Sequence, residues 1–298
     1  MTHSYNYVNM IPSELTQPIK KSISFLREGT SERIHYHDPS NIFKFEGRYF
    51  VWFTRNVEDH KNASTHYAVS RDGTRWEMCG EALGLGKSGQ WDDSGNLAPY
   101  IAYENETFYL FYTGFTRGDL STRHLGLARA EKPWGPWERS VDSPVLYHGF
   151  EDSDWHSDMV GDSNVLFREG KWWLYFKGKK SDEKPWETHI GVAVSDTIEG
   201  PYEIHPSSPL FDGHAFTAWK HRGGVAVLRG KYWPEVLWSE NGLDFVDTGG
   251  RLKNYSTGFY CPENFVSGDN CRGVEWGFDV VEDNGVRYLE RFNCSFLI

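Results

Sequence analysis

Asp38-Pro-Ser-Asn-Ile-Phe-Lys-Phe-Glu-Gly-Arg-Tyr-Phe-Val-Trp-Phe-Thr54 decides how this chain folds. The phrase reads as an apolar strand, a tight Glu46-Gly47 turn and a second, aromatic strand. A second full copy runs Asp162-Ser-Asn-Val-Leu-Phe-Arg-Glu-Gly-Lys-Trp-Trp-Leu-Tyr-Phe-Lys177, turning at Glu169-Gly170. Weaker copies cover residues 97–114, 214–230 and 276–292. A self-similar phrase recurring at roughly sixty residues is the mark of a radial repeat.

Each repeat has a second half. His66-Tyr-Ala-Val-Ser-Arg-Asp-Gly-Thr-Arg-Trp-Glu77 is echoed by Leu125-Gly-Leu-Ala-Arg-Ala130 with Gly135-Pro-Trp-Glu138. Further echoes are Ile190-Gly-Val-Ala-Val-Ser-Asp196 with Gly200-Pro-Tyr-Glu203, and Val236-Leu-Trp-Ser-Glu-Asn-Gly-Leu-Asp-Phe245. Each supplies a buried strand, a turn and an outer strand. Four strands per repeat and five repeats predict an all-β, five-bladed β-propeller over residues 35–298. The fifth blade runs short after Cys294, so it borrows a strand from elsewhere or leaves the ring open. Residues 1–34 stand outside the repeat as an N-terminal arm. A short helix is expected within residues 13–27, capped by Ser13 and stopped by Gly29, with Pro18 in its first turn.

Composition bounds the partners. The formal net charge is -11 and no Lys/Arg run stands out, which argues against nucleic acid or an anionic membrane. No apolar stretch approaches the roughly 20 residues of a membrane span. The first residues lack the basic and apolar regions of a signal peptide, so a cytoplasmic protein is expected. Cys79, Cys261, Cys271 and Cys294 show no Cys-x-x-Cys spacing. Reduced thiols are expected, with Cys261 and Cys271 close enough in sequence to pair across a loop. The 13 Trp, 16 Tyr and 19 Phe are read mostly as filling between blades, the rest as a surface for sugar rings.

A propeller gathers the starts of its innermost strands around one axis. Asp38, Asp162 and His214, each heading a phrase, are therefore expected to meet. Two converging carboxylates suit hydrolysis of a glycosidic bond, one activating water while another group protonates the leaving oxygen. The loops before the second and third blades, Gly89-Gln-Trp-Asp-Asp-Ser-Gly-Asn96 and Glu151-Asp-Ser-Asp-Trp-His-Ser-Asp158, carry candidate sugar contacts. These are Asp93, Asn96 and His156 for hydroxyls, with Trp91 and Trp155 as stacking platforms.

His37-Asp-Pro-Ser-Asn41, the strand Trp173-Leu-Tyr-Phe-Lys177, Gly213-His214 leading to Gly223-Gly-Val-Ala226, Trp276-Gly-Phe278 and Tyr288-Leu-Glu-Arg-Phe292 resemble glycoside hydrolase family 117, a relative of the family 43 propeller glycosidases. The resemblance runs from Arg33 to the C-terminus. It implies an exo-acting enzyme that releases 3,6-anhydro-L-galactose, or a related sugar, from the non-reducing end of an oligosaccharide with inversion. It implies Asp38 as general base, Asp162 as a second acidic residue that tunes the site, and His214 as a histidine general acid. It also implies a homodimer built through the N-terminal arm. No cofactor is required, although a funnel of Asp, Asn and His is compatible with a divalent cation.

One position departs from the family pattern: His214 is followed by Ala215 rather than Glu. Either His214 suffices as the acid, with Asp162 favouring its protonated form, or Glu235 or Glu263 replaces the missing Glu, or the site binds sugar without cleaving it. A glycoside phosphorylase would need a phosphate pocket, and no cluster of Arg, Lys and His in the sequence supplies one.

Overall fold

The computed structural model describes residues 12–16, 20–26, 34–57, 62–116, 119–141, 143–230, 235–251, 256–265 and 273–297. The phrase that dominates the sequence folds as a hairpin in every repeat. Its turns are Glu46-Gly47, Asn105-Glu106, Glu169-Gly170, Arg222-Gly223 and Asn284-Gly285, and all ten residues have positive φ. Two successive left-handed residues make the type I′ turn, whose twist matches that of the flanking strands. Glycine stands at the second position in four of the five.

Antiparallel pairing extends each hairpin to about four strands. The first blade sets His35–His37 and Phe43–Phe45 beside Arg48–Asn56, then Ser64–Ser70 and Trp76–Leu83. The second runs Gly95–Glu104, Thr107–Thr116, Asp119–Ala130 and Glu138–Arg139; the third runs Met159–Arg168, Lys171–Lys179, His189–Ser195 and Glu203–Ile204. A single parallel pairing, Met159 with Arg123, joins these two blades into one sheet. The fourth is Ala215–His221, Gly224–Gly230, Glu235–Ser239 and Val246–Arg251. This arrangement is consistent with five blades.

The fifth blade takes its missing strand from the other end of the chain. Ser256–Phe259, Gly273–Asp283 and Val286–Leu297 are followed outward by Lys20–Leu26, with Lys20 paired to Asn293 and Leu26 to Leu289. The helix expected over residues 13–27 is therefore a single 3-10 turn, Ser13–Thr16, followed by a strand. Pro18 cannot continue a helix, and Ser22-Ile-Ser-Phe25 alternates with the period of a strand rather than a helix.

Among the described residues, apolar clusters occupy all five seams between blades. Trp52, Phe108 and Leu110 fill the first seam; Phe111, Leu125, Val165 and Phe176 fill the second. Tyr175, Phe216 and Val225 fill the third; Trp219, Phe259 and Phe296 fill the fourth. Tyr36, Phe53, Phe278 and Leu289 close the ring between the fifth blade and the first. Trp52, Trp172 and Trp219 are among the largest fully buried side chains, and burying one large apolar side chain contributes about 3 kcal/mol.

Asparagines in or near the innermost strands stitch these seams with hydrogen bonds. Asn41 accepts from the Ile101 N–H at 2.9 Å and donates to its carbonyl at 2.8 Å. Asn164 accepts from the Ala218 N–H at 3.0 Å. Asn264 accepts from the Lys220 N–H at 3.0 Å and donates to the Tyr100 hydroxyl at 3.1 Å. The repeated head thus divides its labour, since Asp38 and Asp162 face the axis while Asn41 and Asn164 hold the next blade.

Candidate active site

Asp38, Ala98 and Asp162 interrupt the innermost strands of the first three blades. All three are left-handed, with φ of 49°, 48° and 52°. A side chain pays roughly 1–2 kcal/mol to sit there, so the surrounding structure must hold it. The clamps repeat as well. The Ala98 N–H donates to Thr54 Oγ1 at 3.0 Å, and the Asp162 N–H donates to Thr113 Oγ1 at 3.0 Å. Each clamp reaches back to the blade before it. In consequence Asp38, Pro39, Ala98, Pro99, Tyr100, Asp162, Ser163, Asn164, Ala215 and Phe216 line one solvent-open depression at the axis.

Asp38 Oδ2 is held from two sides. His37 Nδ1 lies 2.7 Å away, and the Thr54 hydroxyl donates at 3.2 Å. His37 Nε2 meets Asn56 Oδ1 at 2.8 Å, so both ring nitrogens face acceptors. Burial alone would lower the His37 pKa, but the charge and hydrogen bond of Asp38, with help from Asn56, raise it above the ordinary value. The Asp38 carboxylate therefore favours the protonated form of the buried imidazole beside it.

Asp162 pairs with the buried ammonium of Lys177, while Lys179 and Asp158 make a second pair nearby at 2.6 Å. Arg123 joins the same field. Burial pulls its guanidinium below the ordinary value against the opposing pull of Asp162, Asp38 and Asp158. His214 belongs to the group electrostatically. Lys177 foremost, then burial and Arg123, push it down to about 4 against Asp162 and Asp38. The expectation that Asp162 keeps His214 protonated is thus reversed, because Lys177 neutralises that carboxylate and repels a second cation. The fold also brings the cations Arg123 and Lys177 from separate blades into the field around His214, a grouping that the linear sequence does not display.

The loop residues expected to touch sugar lie elsewhere. Trp91 stacks on Tyr112 at 5.7 Å and covers Gly114 and Gly126, where an added Cβ would fall 2.2 and 2.6 Å from its ring. Trp155 stacks on Phe176 at 5.3 Å and covers Gly178 and Gly191 in the same way, at 2.4 and 2.6 Å. These rings are half-buried packing elements and do not line the depression. His156 packs on Trp155 and Phe176, and burial lowers its pKa. Asn96 is fully buried, accepting from Thr65 at 2.7 Å and donating to the Gly84 carbonyl at 2.8 Å. Asp93 shapes its own loop, accepting from the Gly89 N–H at 2.9 Å. Glu235 is gripped by Arg229 at 2.6 Å and does not line the depression. The Glu263 side chain and Cys271 lie outside the described residues.

Sequence reasoning missed Lys177 and Arg123. A signal for Lys177 existed. Thr54, Thr113 and Lys177 pair with His37, Leu97 and Gly161, each one residue before a left-handed head, so Lys177 is the copy that departs. Arg123 carries no such mark. Among the described residues, no group of three or more His, Cys, Asp or Glu side chains is arranged to hold a metal ion.

Known proteins share this fold. A family 117 glycoside hydrolase of Zobellia galactanivorans superposes with a TM-score of 0.85 at 24% identity, over 95% of this chain and 92% of that one. A thermostable family-43 glycoside hydrolase superposes with a TM-score of 0.64 at 15% identity, over 87% and 89% of the two chains. At such identities these likenesses establish the fold. In sequence, xylosidase/arabinosidase 43B of Humicola insolens is 29% identical over 137 residues, covering 42% of this chain and 25% of that protein. The beta-xylosidase of Bacillus subtilis (strain 168) is 24% identical over 224 residues, covering 58% of this chain and 39% of that protein. The chain thus spans well under half the length of these curated relatives. The family model of glycosyl hydrolases family 43 matches residues 32–185, more than half of the sequence, and the chain belongs to that family.

Proposed function

We propose that the protein is an inverting, exo-acting glycoside hydrolase that releases a terminal sugar from the non-reducing end of a small oligosaccharide. The sugar is 3,6-anhydro-L-galactose or a relative of it, in keeping with the likeness to the family 117 enzyme. The observation that carries this reading is the pair Asp38 and Asp162, held at left-handed positions on two blades and lining one depression. Asp38 takes a proton from water as the water attacks the anomeric carbon. His214, in its imidazolium form, gives a proton to the leaving oxygen. Asp162, paired with Lys177, tunes the charge of the site.

The low pKa of His214 sets the working range. Its acid form grows as pH falls toward about 4, so turnover is expected to be fastest on the acid side of neutrality. Incubation with marine and plant oligosaccharides, read by mass and by the anomeric configuration of the first product, tests the reading. The Asp38→Asn variant should fold normally and lose at least about 10³-fold in rate. Unchanged turnover in that variant would remove Asp38 from the chemistry.

A second reading, sugar binding without cleavage, draws on Ala215 and on the neutral state of His214 near pH 7. It predicts measurable oligosaccharide affinity and no product at any pH. Release that depends on added inorganic phosphate would instead indicate a phosphorylase using Arg123 and Lys177.

A further inference from the structure

His214 is steered by a residue that neither the repeat nor the resemblance singles out. Thr188 is fully buried at the edge of the third blade, immediately before the strand His189–Ser195. Its hydroxyl donates to the Gly213 carbonyl at 2.5 Å, and its own carbonyl accepts from the Gly213 N–H at 3.0 Å. The single hydroxyl proton is thereby committed. The remaining contact of Thr188 Oγ1, 3.3 Å from His214 Nδ1, must be one in which the ring nitrogen donates. The backbone next to the ring is fixed too, since the His214 N–H donates to the Gly230 carbonyl at 2.9 Å.

The structure assigns to Thr188 the task of holding His214 with its hydrogen on Nδ1, so that Nε2 is the ring atom offered to the sugar. Free neutral imidazole side chains favour the opposite tautomer, so the arrangement needs such an acceptor. Thr188 is a positioning residue, acting only through the ring. When His214 is neutral, Nε2 accepts a hydrogen bond from a sugar hydroxyl. When charged, Nε2–H passes its proton to the leaving oxygen and the ring returns to the Nδ1–H form. The catalytic part of this inference rests on the hydrolase reading above, whereas the tautomer does not.

Long-range proton–nitrogen NMR of the full chain, labelled with ¹⁵N in histidine, tests it at pH 7 without any sugar. His214 is expected to show a protonated Nδ1 and a bare Nε2. Thr188→Val should move the ring toward the Nε2–H form, and Thr188→Ser should restore it. A protonated Nε2 in the unmodified protein overturns the proposal even if the valine variant fails to fold. An unmoved tautomer in a folded valine variant overturns it as well. With an identified substrate, Thr188→Val should lower kcat by about tenfold or more with a smaller change in KM, and serine should recover it. Absence of any cleavage product, with the tautomer as expected, would instead count against the hydrolase reading alone.

Discussion

At the scale of single residues, the site is decided by cations rather than by its two carboxylates. Lys177 neutralises Asp162 and is the foremost cause of the low pKa of His214. Replacing it as Lys177→Met should let His214 climb back toward its ordinary 6.5, moving the acid-to-neutral limb of the rate profile toward neutrality. Histidine NMR titration of the variant checks this without substrate. His37 works in the opposite sense. Its folded-state pKa lies above 6.5, so the stability it contributes is complete below that pH and drains away as pH rises through the folded value. Urea midpoints for the unmodified protein and His37→Gln, compared from about pH 6 to about pH 9, should converge as the pH rises. The carboxylates themselves were legible in the sequence because each heads a copy of the repeat. Arg123 was not, because its place beside them depends on a parallel pairing between two blades.

At the scale of elements, the five hairpins offer an internal control. Four turns end in glycine, and the second blade has Glu106 there at φ 61°. A non-glycine residue in that conformation costs roughly 1–2 kcal/mol, partly offset by the entropy that glycine loses on folding. Glu106→Gly should therefore stabilise the protein by up to about 1 kcal/mol, raising Tm by about 2 °C in calorimetry. The hairpins could be read from sequence because a Glu-Gly or Asn-Gly turn is a local signal. Trp91 and Trp155 could not, because a loop tryptophan looks the same whether it packs on the protein or waits for a sugar. What separates the two cases is the glycine pair beneath each ring, and those glycines lie on later strands. Asn96 misled for a related reason: its bonds run to Thr65 and Gly84, partners that only the packing of two blades supplies.

At the scale of the whole molecule, the ring is fastened by Lys20–Leu26 against Val286–Leu297. Deleting residues 1–26 would strip the fifth blade of its outer strand and expose a sheet edge. A fall in Tm on the order of 5 °C or more, with aggregation on heating, is expected by calorimetry and light scattering. An unchanged Tm would show that the strand adds nothing to the ring. The sequence showed that the fifth blade was short but not what completed it, because strand pairing across such a separation leaves no periodic trace.

That fastening also imposes an order on the protein's birth. Lys20–Leu26 is made before the blades and must wait, unpaired, until Val286–Leu297 has been synthesised. Asp38, Asp162 and His214 are all present on the ribosome long before then, but the seam that joins the fifth blade to the first cannot yet have formed. The pocket therefore ripens late, and a chain halted before Val286–Leu297 would carry Asp38, Asp162 and His214 without the frame that brings them together.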